Sequence, residues 1–382
     1  MSAGTAFESS RPRPSIGAKL LALNWGLVLI VCMIASFGFA MLYSAANGSM
    51  EPWALKQMTR FAVSLVVMLS VAMVDIRFWY RSAYTIFGVA FLLLIAVELR
   101  GAIGMGAQRW IDLGIIQLQP SEMMKVALAL VLARYFNSFS GELIRSPFRL
   151  IVPALLVLVP AVLVLKQPDL GTALMLVISG GLFFFLVGVR LWKFGVVLAG
   201  VGALFPIVWG HMRDYQKNRI YTFLDPDNDR LGAGYHILQS KIAFGSGGLF
   251  GKGFLMGTQA HLNFLPEKQT DFIFTMLAEE LGLVGGLTLL GLYTLVFIYG
   301  YAIAYRSRNQ FGRLLALGLT INMFLYVFIN TAMVMGLIPV VGVPLPLISY
   351  GGTSMLTVMF GLGLLMSVYI HRDTRIGRFG ED

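Results

Sequence analysis

The sequence predicts an all-α fold, a polytopic membrane helix bundle of about ten transmembrane helices with a large ordered extracytoplasmic loop. Three observations carry this. The 382 residues are 57% hydrophobic and 13% charged, with a mean hydropathy of +0.77, against roughly 25% charged in an average soluble domain. Apolar runs long enough to cross ~30 Å of hydrocarbon as helices recur along nearly the whole chain. The two-residue alternation of an outer-membrane barrel does not appear, so the backbone must satisfy its polar groups within helices.

The spans are predicted at about 22–43, 59–75, 82–98, 120–136, 149–166, 170–189, 193–210, 272–303, 313–336 and 354–371. Residues 1–20 are polar and include Arg11, Arg13 and Lys19; the apolar run behind them is longer than the ~7–15 residues of a signal-peptide core, so the first span reads as uncleaved. An even number of spans puts both termini on one side. The links with Arg77 and Arg81, with Arg134, Arg145 and Arg149, with Arg190 and Lys193, and with Arg306, Arg308 and Arg313 fall on that side, as do Arg372, Arg375 and Arg378 of the tail. The positive-inside rule makes it cytoplasmic. The organisation is therefore a cytoplasmic N-terminal tail at 1–21, a transmembrane domain at 22–371 that includes the extracytoplasmic loop 211–271, and a cytoplasmic C-terminal tail at 372–382.

Opposite the basic side lie 44–58, 99–119, 167–169, the long segment 211–271 and the Gly/Pro-rich 337–353. A segment as long as 211–271 is translocated largely regardless of charge, so its own Lys and Arg agree with this placement. Aromatic and branched residues between Pro, Asp, Asn and Gly turn signals mark it as ordered rather than as a tether. Within it, Tyr235, Leu238, Ile242 and Phe244 recur at near-helical spacing and predict a short amphipathic helix on the interface or the bundle.

Several chemistries are disfavoured. The single Cys32 lies in the first apolar run and excludes an internal disulfide. The net charge of +10 is scattered in short clusters between spans, without an aromatic-lined polar domain, which argues against nucleic acid. His211, His236, His261 and His371 lack ligand spacing for a metal. GSGGLFGKGF lacks the Gly-Lys-Ser/Thr ending of a phosphate loop, so its small residues are read as allowing close backbone approach.

Charges in or beside spans need a reason, because a buried ion is costly. In QPSEMMKVALAL, Glu122 and Lys125 are neighbours on one helix face. They form either a packing ion pair or one face of a polar cavity open to the outside. Ser121 and Lys125 have the wrong spacing for a Ser-x-x-Lys acyl enzyme, and no Lys-Thr-Gly follows. GAQRWIDLG puts Arg109 and Trp110 in an outer loop, where an interface anchor is the plain reading. KQPDLGT sets Lys166 and Asp169 at a tight outer turn, Asp169 serving as a helix cap or in catalysis.

LPEKQTDFIFTMLAEELG raises the sharpest question. Thr270 suits an N-cap and Asp271 a first helical turn, which stabilises by about 0.3–1 kcal/mol and would explain the acid alone. It does not explain why Glu267, Lys268, Asp271, Glu279 and Glu280 crowd one membrane entrance while outer segments offer Arg109, Lys166, Arg219 and Lys252. One acid facing several cations suits group transfer with a diphosphate leaving group: a base for the attacking hydroxyl and positive charge for the departing oxygens.

FLPEKQTDFIFTMLAEELG, with GAQRWIDLG, QPSEMMK, KQPDLGTA, DRLGAGYHILQS and IPVVGVPLPLISYGGTS, closely resembles the shape, elongation, division and sporulation (SEDS) glycosyltransferases. The similarity runs from the first span to the last, and Val343 with Pro344 favours the elongation branch. The resemblance implies an inner-membrane enzyme, active site facing the periplasm, that polymerises lipid II into glycan strands and releases undecaprenyl diphosphate during cell elongation. It implies Asp271 of the Thr-Asp-Phe motif as general base for the acceptor sugar's 4-hydroxyl. An unperturbed Asp, with a pKa of about 3.9, is a weak base, so partial desolvation would help and Lys268 would oppose the shift.

The same matching makes Arg109, Trp110, Glu122, Lys125 and Arg219 cavity and substrate contacts, with Arg109, Lys125 and Arg219 on phosphates, and Lys268 beside the acid is also expected to bind substrate. A divalent cation, Mg or Mn, is expected, its ligands unassigned. Gln269 stands where the family often has His. The absence of transpeptidase signatures implies a class B penicillin-binding protein as partner, alongside lipid II, the growing strand and other elongation-complex proteins. A lipid II flippase and a non-catalytic scaffold for a transpeptidase are the alternatives, the first motivated by the many spans and the Glu122/Lys125 pair.

Overall fold

The computed structural model describes residues 16–104, 107–112, 117–139, 147–212, 214–225, 233–262, 264–265 and 267–377. Arg11, Arg13, Arg145, Arg378 and loop residues 226–232 lie outside the described residues. Chain order begins with α1 (Ile16–Leu21), α2 (Trp25–Ala45), α3 (Ala54–Met73) and α4 (Ile76–Arg100). The outer loop after α4 folds into β1 (Ala102–Gly104), β2 (Ala107–Asp112) and β3 (Gln117–Leu118), antiparallel in that order, with Ala102 opposite Trp110 and Ile111 opposite Leu118. Then follow α5 (Pro120–Asn137), α6 (Pro147–Lys166), α7 (Leu170–Leu186) and α8 (Leu191–His211). The long loop holds α9 (Asp214–Leu224), α10 (Ala233–Gly247) and α11 (Thr258–His261), before α12 (Ile273–Arg306), α13 (Gln310–Val334) and α14 (Gly352–Ile370).

Among the described residues, 7 helices are long and apolar enough to cross a membrane: α2, α3, α4, α6, α12, α13 and α14. The 17-residue α7, α8 with its apolar stretch Leu191–Ile207, and the charge-bearing α5 occupy the remaining predicted places. Polar side chains set the starts. Asn24, Asp75, Asp169 and Asn309 cap α2, α4, α7 and α13, each accepting from a first-turn backbone N–H at 2.5–3.2 Å. Pro120 opens α5, where no intrahelical donor is needed. Helices α3 and α4 begin earlier than hydropathy predicts, because Lys56, Arg60, Arg77 and Arg81 in their first two turns lower the local hydropathy; Arg60 lies over the Tyr350 ring, 4.6 Å from its centre.

Helix α5 lies at the centre with α13 and α14, and Met124, Leu130, Ala133, Leu315 and Leu364 are sealed there. At the other extreme α8 shows Leu191, Leu198 and Ile207 at 69%, 70% and 60% exposure, as suits an edge helix that lipid surrounds.

Helix α12 is broken at Gly282, whose φ is 65°. The break frees backbone groups, and the strap 248–253 takes them up. Lys252 N and Gly253 N donate to the carbonyls of Glu279 and Glu280, each at 3.0 Å, while Leu283 N and Val284 N donate to Gly248 O and Leu249 O at 3.0 and 3.1 Å. Gly251 (φ 81°) and Gly282 meet so closely that a Cβ on either would strike the other's backbone, the close approach expected of GSGGLFGKGF.

Two expectations are corrected. A helix does cover Tyr235 to Phe244, but Leu238 and Ile242 point outward at 43% and 46% exposure; the buried face is Ile237, Ser240 and Ala243. Small residues let α10 lie close on α12, and Ser240 Oγ sits 2.8 Å from Thr275 Oγ1 while donating to Val334 O at 2.6 Å. Thr270 does not cap α12: its hydroxyl donates to Glu267 O and Oε2 at 3.2 and 3.0 Å, and Asp271 precedes the helix in a turn.

Candidate active site

The turn 267–272 is gripped from outside, which places Asp271. Its consecutive carbonyls accept from three donors: Tyr350 N to Gln269 O at 2.8 Å, Ser349 Oγ to Thr270 O at 2.7 Å and Asn330 Nδ2 to Asp271 O at 3.0 Å. The Gly/Pro-rich loop that follows α13 forms the facing wall. Its Gly342 has φ 72°, and a Cβ there would lie 3.4 Å from Asp271 Oδ2, so a carboxylate oxygen lies directly against this loop.

Asp271 keeps some solvent contact, although its carboxylate is surrounded by protein. Burial raises its pKa to about 6, the Glu267 carboxylate and Asp169 add to the rise, and Arg219 and Arg109 oppose it. Arg219 comes from α9 and Arg109 from β2, so both arginines act on the acid from separate elements. Arg109 is held by Nε donating to Gln167 O at 3.2 Å and Nη2 donating to Pro168 O. Trp110, next on β2, is half-buried. Asp169 caps α7 through Thr172 N at 3.1 Å, while its Oδ2 accepts from Gln119 Nε2 at 3.3 Å, which ties the start of α5 to the same region.

Sequence reasoning expects Lys268 to oppose the rise at Asp271; the cations that oppose it are Arg219 and Arg109. Lys268 is buried, its Nζ donates to Ala260 O at 2.9 Å, and burial lowers its pKa. Lys252, Glu279 and Glu280 also have other work. Glu279 pairs with Lys252 Nζ at 2.7 Å and accepts from Gln259 N at 3.1 Å; Glu280 accepts from Ser44 Oγ at 2.5 Å and Leu255 N at 3.2 Å, with His261 Nε2 3.2 Å away. These glutamates fasten the strap to α12 and α2.

Glu122 and Lys125 form a second cluster inside the bundle, both buried and 2.7 Å apart. Tyr326 OH donates to Glu122 Oε2, and Lys125 Nζ lies 4.1 Å from the Tyr326 ring centre. Asn322 Nδ2 donates to Lys125 O at 3.1 Å, and Ser179 Oγ donates to Asn322 Oδ1 at 2.6 Å. A small cavity of about 40 Å³ adjoins Lys125, Asn322 and Tyr326. The pair is thus satisfied by its neighbours, and Lys125 also borders the cavity.

Sequence reasoning missed Asn330, Ser349 and Gly342. The one signal for them was the density of Gly and Pro at 337–353, which marks a loop of constrained shape.

The fold and site define a multi-pass membrane protein with a buried acid at the mouth of the bundle. Residues 19–374 match the family described as Cell cycle protein (FtsW/RodA/SpoVE), and the chain belongs to it. It is 46% identical over 352 residues to peptidoglycan glycosyltransferase MrdB of Escherichia coli (strain K12), covering 91% of this chain and 93% of that one. It is 34% identical over 419 residues to peptidoglycan glycosyltransferase RodA of Treponema pallidum (strain Nichols), covering 90% and 96%. Among solved structures, a chain of a peptidoglycan synthase complex that coordinates polymerization and crosslinking superposes with TM-score 0.79 at 33% identity, over 92% of this chain and 99% of that one. The crystal structure of Thermus thermophilus RodA gives 0.71 at 30% identity, over 93% and 99%.

Proposed function

We infer that this chain is a peptidoglycan glycosyltransferase of cell elongation that joins lipid II units, with Asp271 as general base. The relatives named above support the activity. The observation that carries the role of the acid is a carboxylate whose pKa is raised to about 6 while two arginines act on it. In the proposed step Asp271 takes the proton of the acceptor's 4-hydroxyl as that oxygen bonds to the donor's anomeric carbon. The bond from that carbon to phosphate breaks, and undecaprenyl diphosphate leaves with the electron pair. Arg219 and the N–H groups of Arg109 not used on Gln167 and Pro168 carry positive charge for those oxygens. Trp110 beside Arg109 is proposed as a saccharide contact, Glu122 and Lys125 as substrate contacts within the bundle with Lys125 on the cavity wall, and Lys268 as a brace of the acid-bearing turn rather than a substrate contact.

Among the described residues no group of three or more His, Cys, Asp or Glu gathers to hold a metal ion, so these side chains do not form a protein cage for Mg or Mn. The expected divalent cation is proposed to arrive with the substrate's phosphates, as Mg commonly does. No step is routed through it. The proposed topology has both termini in the cytoplasm, a periplasmic site within the domain 22–371, and tails at 1–21 and 372–382. The partner is proposed to be a class B penicillin-binding protein within an elongation complex, in line with the synthase-complex neighbour.

Polymerisation of purified lipid II by wild type and Asp271→Asn, each with and without the partner, tests the reading. Abolished synthesis by a folded variant is expected. Strand formation by Asp271→Asn would remove the base, and movement of labelled lipid II across liposomes without extension would favour a flippase.

A further inference from the structure

Asn330 of α13 is fully buried, and its amide nitrogen donates twice, to Asp271 O at 3.0 Å and to Val343 O at 2.7 Å. Both hydrogens of the NH₂ group are thus matched to carbonyls, whereas Oδ1 is buried without a hydrogen-bond partner. The amide cannot be reversed, since Oδ1 would then face two carbonyl oxygens. A buried unpaired oxygen is destabilising, so the two N–H contacts have to be what this residue supplies. They join the two walls of the site: the peptide of the acid, and the loop whose Gly342 meets Asp271 Oδ2. Tyr350 N and Ser349 Oγ hold only the preceding carbonyls, so Asn330 is the side chain that reaches the acid's own peptide from α13 while gripping the facing loop.

We propose that Asn330 is a positioning residue for the transfer reaction, holding the Asp271 peptide and the 342–343 loop at a fixed separation so that the carboxylate meets the acceptor hydroxyl in register. The proposal rests on Asp271 being the base. A misplacement of about 1 Å in such a geometry costs roughly 10²-fold in rate. Release of this clamp also admits water to the carboxylate, whose charged neighbours are Glu267 of its own turn, Arg219 of α9, Asp169 at the start of α7 and Arg109 of β2.

The test uses full-length protein with its partner and lipid II, comparing wild type, Asn330→Leu, the isosteric Asn330→Asp, and Asp271→Asn. Asn330→Leu keeps bulk and discards the unpaired oxygen. Expected is a fall in kcat of roughly 10- to 100-fold with KM within about threefold, and an acid limb of the pH profile displaced to lower pH in Asn330→Leu. Asn330→Asp, neutral when buried, keeps at most one of the two donated bonds and is expected to lower kcat as well, so it reports if the Leu variant does not fold. A wild-type pH profile and kcat in either folded variant, or a lowered Tm with the pH profile unmoved, overturns the proposal. Polymerisation by Asp271→Asn would instead sink the assignment of the base, so the two failures are distinguishable.

Discussion

Glu267 and Asp271 stand at the two ends of one turn, and the first raises the pKa of the second. Glu267 is fixed there because its Oε2 accepts from Thr270 Oγ1 at 3.0 Å and from Gln269 Nε2 at 3.3 Å. After burial, its charge is the largest contribution that raises Asp271. The turn therefore carries its own means of making a weak base stronger, and Gln269 serves as a donor to it.

Glu267→Gln removes that charge and keeps the shape. The base works ionised, so activity falls as pH drops through about 6. In the variant the Asp271 pKa should fall, and the acid limb of the polymerisation profile should move to lower pH by up to about one unit. A pH series with saturating lipid II checks this; an unmoved limb would detach Glu267 from the acid.

Asp271→Asn should be more stable than wild type at pH 7.5. The folded pKa of about 6 lies above the ordinary 3.8, so the stability tied to protonated Asp271 is whole below 3.8 and is lost as pH rises through 6. Asparagine escapes that loss, worth on the order of 1–3 kcal/mol at neutral pH. Thermal unfolding at pH 7.5 and at pH 4 should show an advantage at the first that disappears at the second.

Gly251→Ala and Gly282→Ala should each destabilise by roughly 3 kcal/mol or more, since both positions have positive φ and a Cβ would meet backbone, which does not yield as a side-chain tip would. Yield of folded protein and Tm in detergent report this, and a near-neutral result would contradict the interlock of strap and helix.

Lys125→Met alone should cost about 3–5 kcal/mol, because it leaves Glu122 buried without its cation. Glu122→Gln with Lys125→Met should cost much less, a coupling that a double-mutant cycle measures. If the double variant folds and still makes glycan, the pair is packing; if it folds and does not, it belongs to the cavity.

Hydropathy located the membrane helices because lipid leaves an apolar run of the right length few other uses. Helical spacing found α10 but gave it the wrong face: Ile237, Ser240 and Ala243 are buried while the larger Leu238 and Ile242 face outward, because close approach through small residues leaves little hydrophobic signature. Glu279 and Glu280 looked like site charges because they follow Asp271 closely in the chain. Their partners Ser44, Lys252 and His261 come from other segments, and no spacing rule shows such pairings. Thr270 read as a cap because its hydroxyl has the right chemistry, but the turn at Glu267 (φ 54°) offers it nearer acceptors. Asp271 and the two arginines were legible through resemblance to a family. Asn330 was not, since one buried Asn in an apolar helix carries no sign of what it grips.

The break at Gly282 divides α12 into a short piece and a long, membrane-length piece, and the strap is bonded to both. Bilayers of different thickness tilt a spanning helix. Because the strap bonds Glu279 and Glu280 before the break and Leu283 and Val284 after it, the bend is fixed rather than hinged, and a tilt of the long piece would be passed on to the strap and the reacting end.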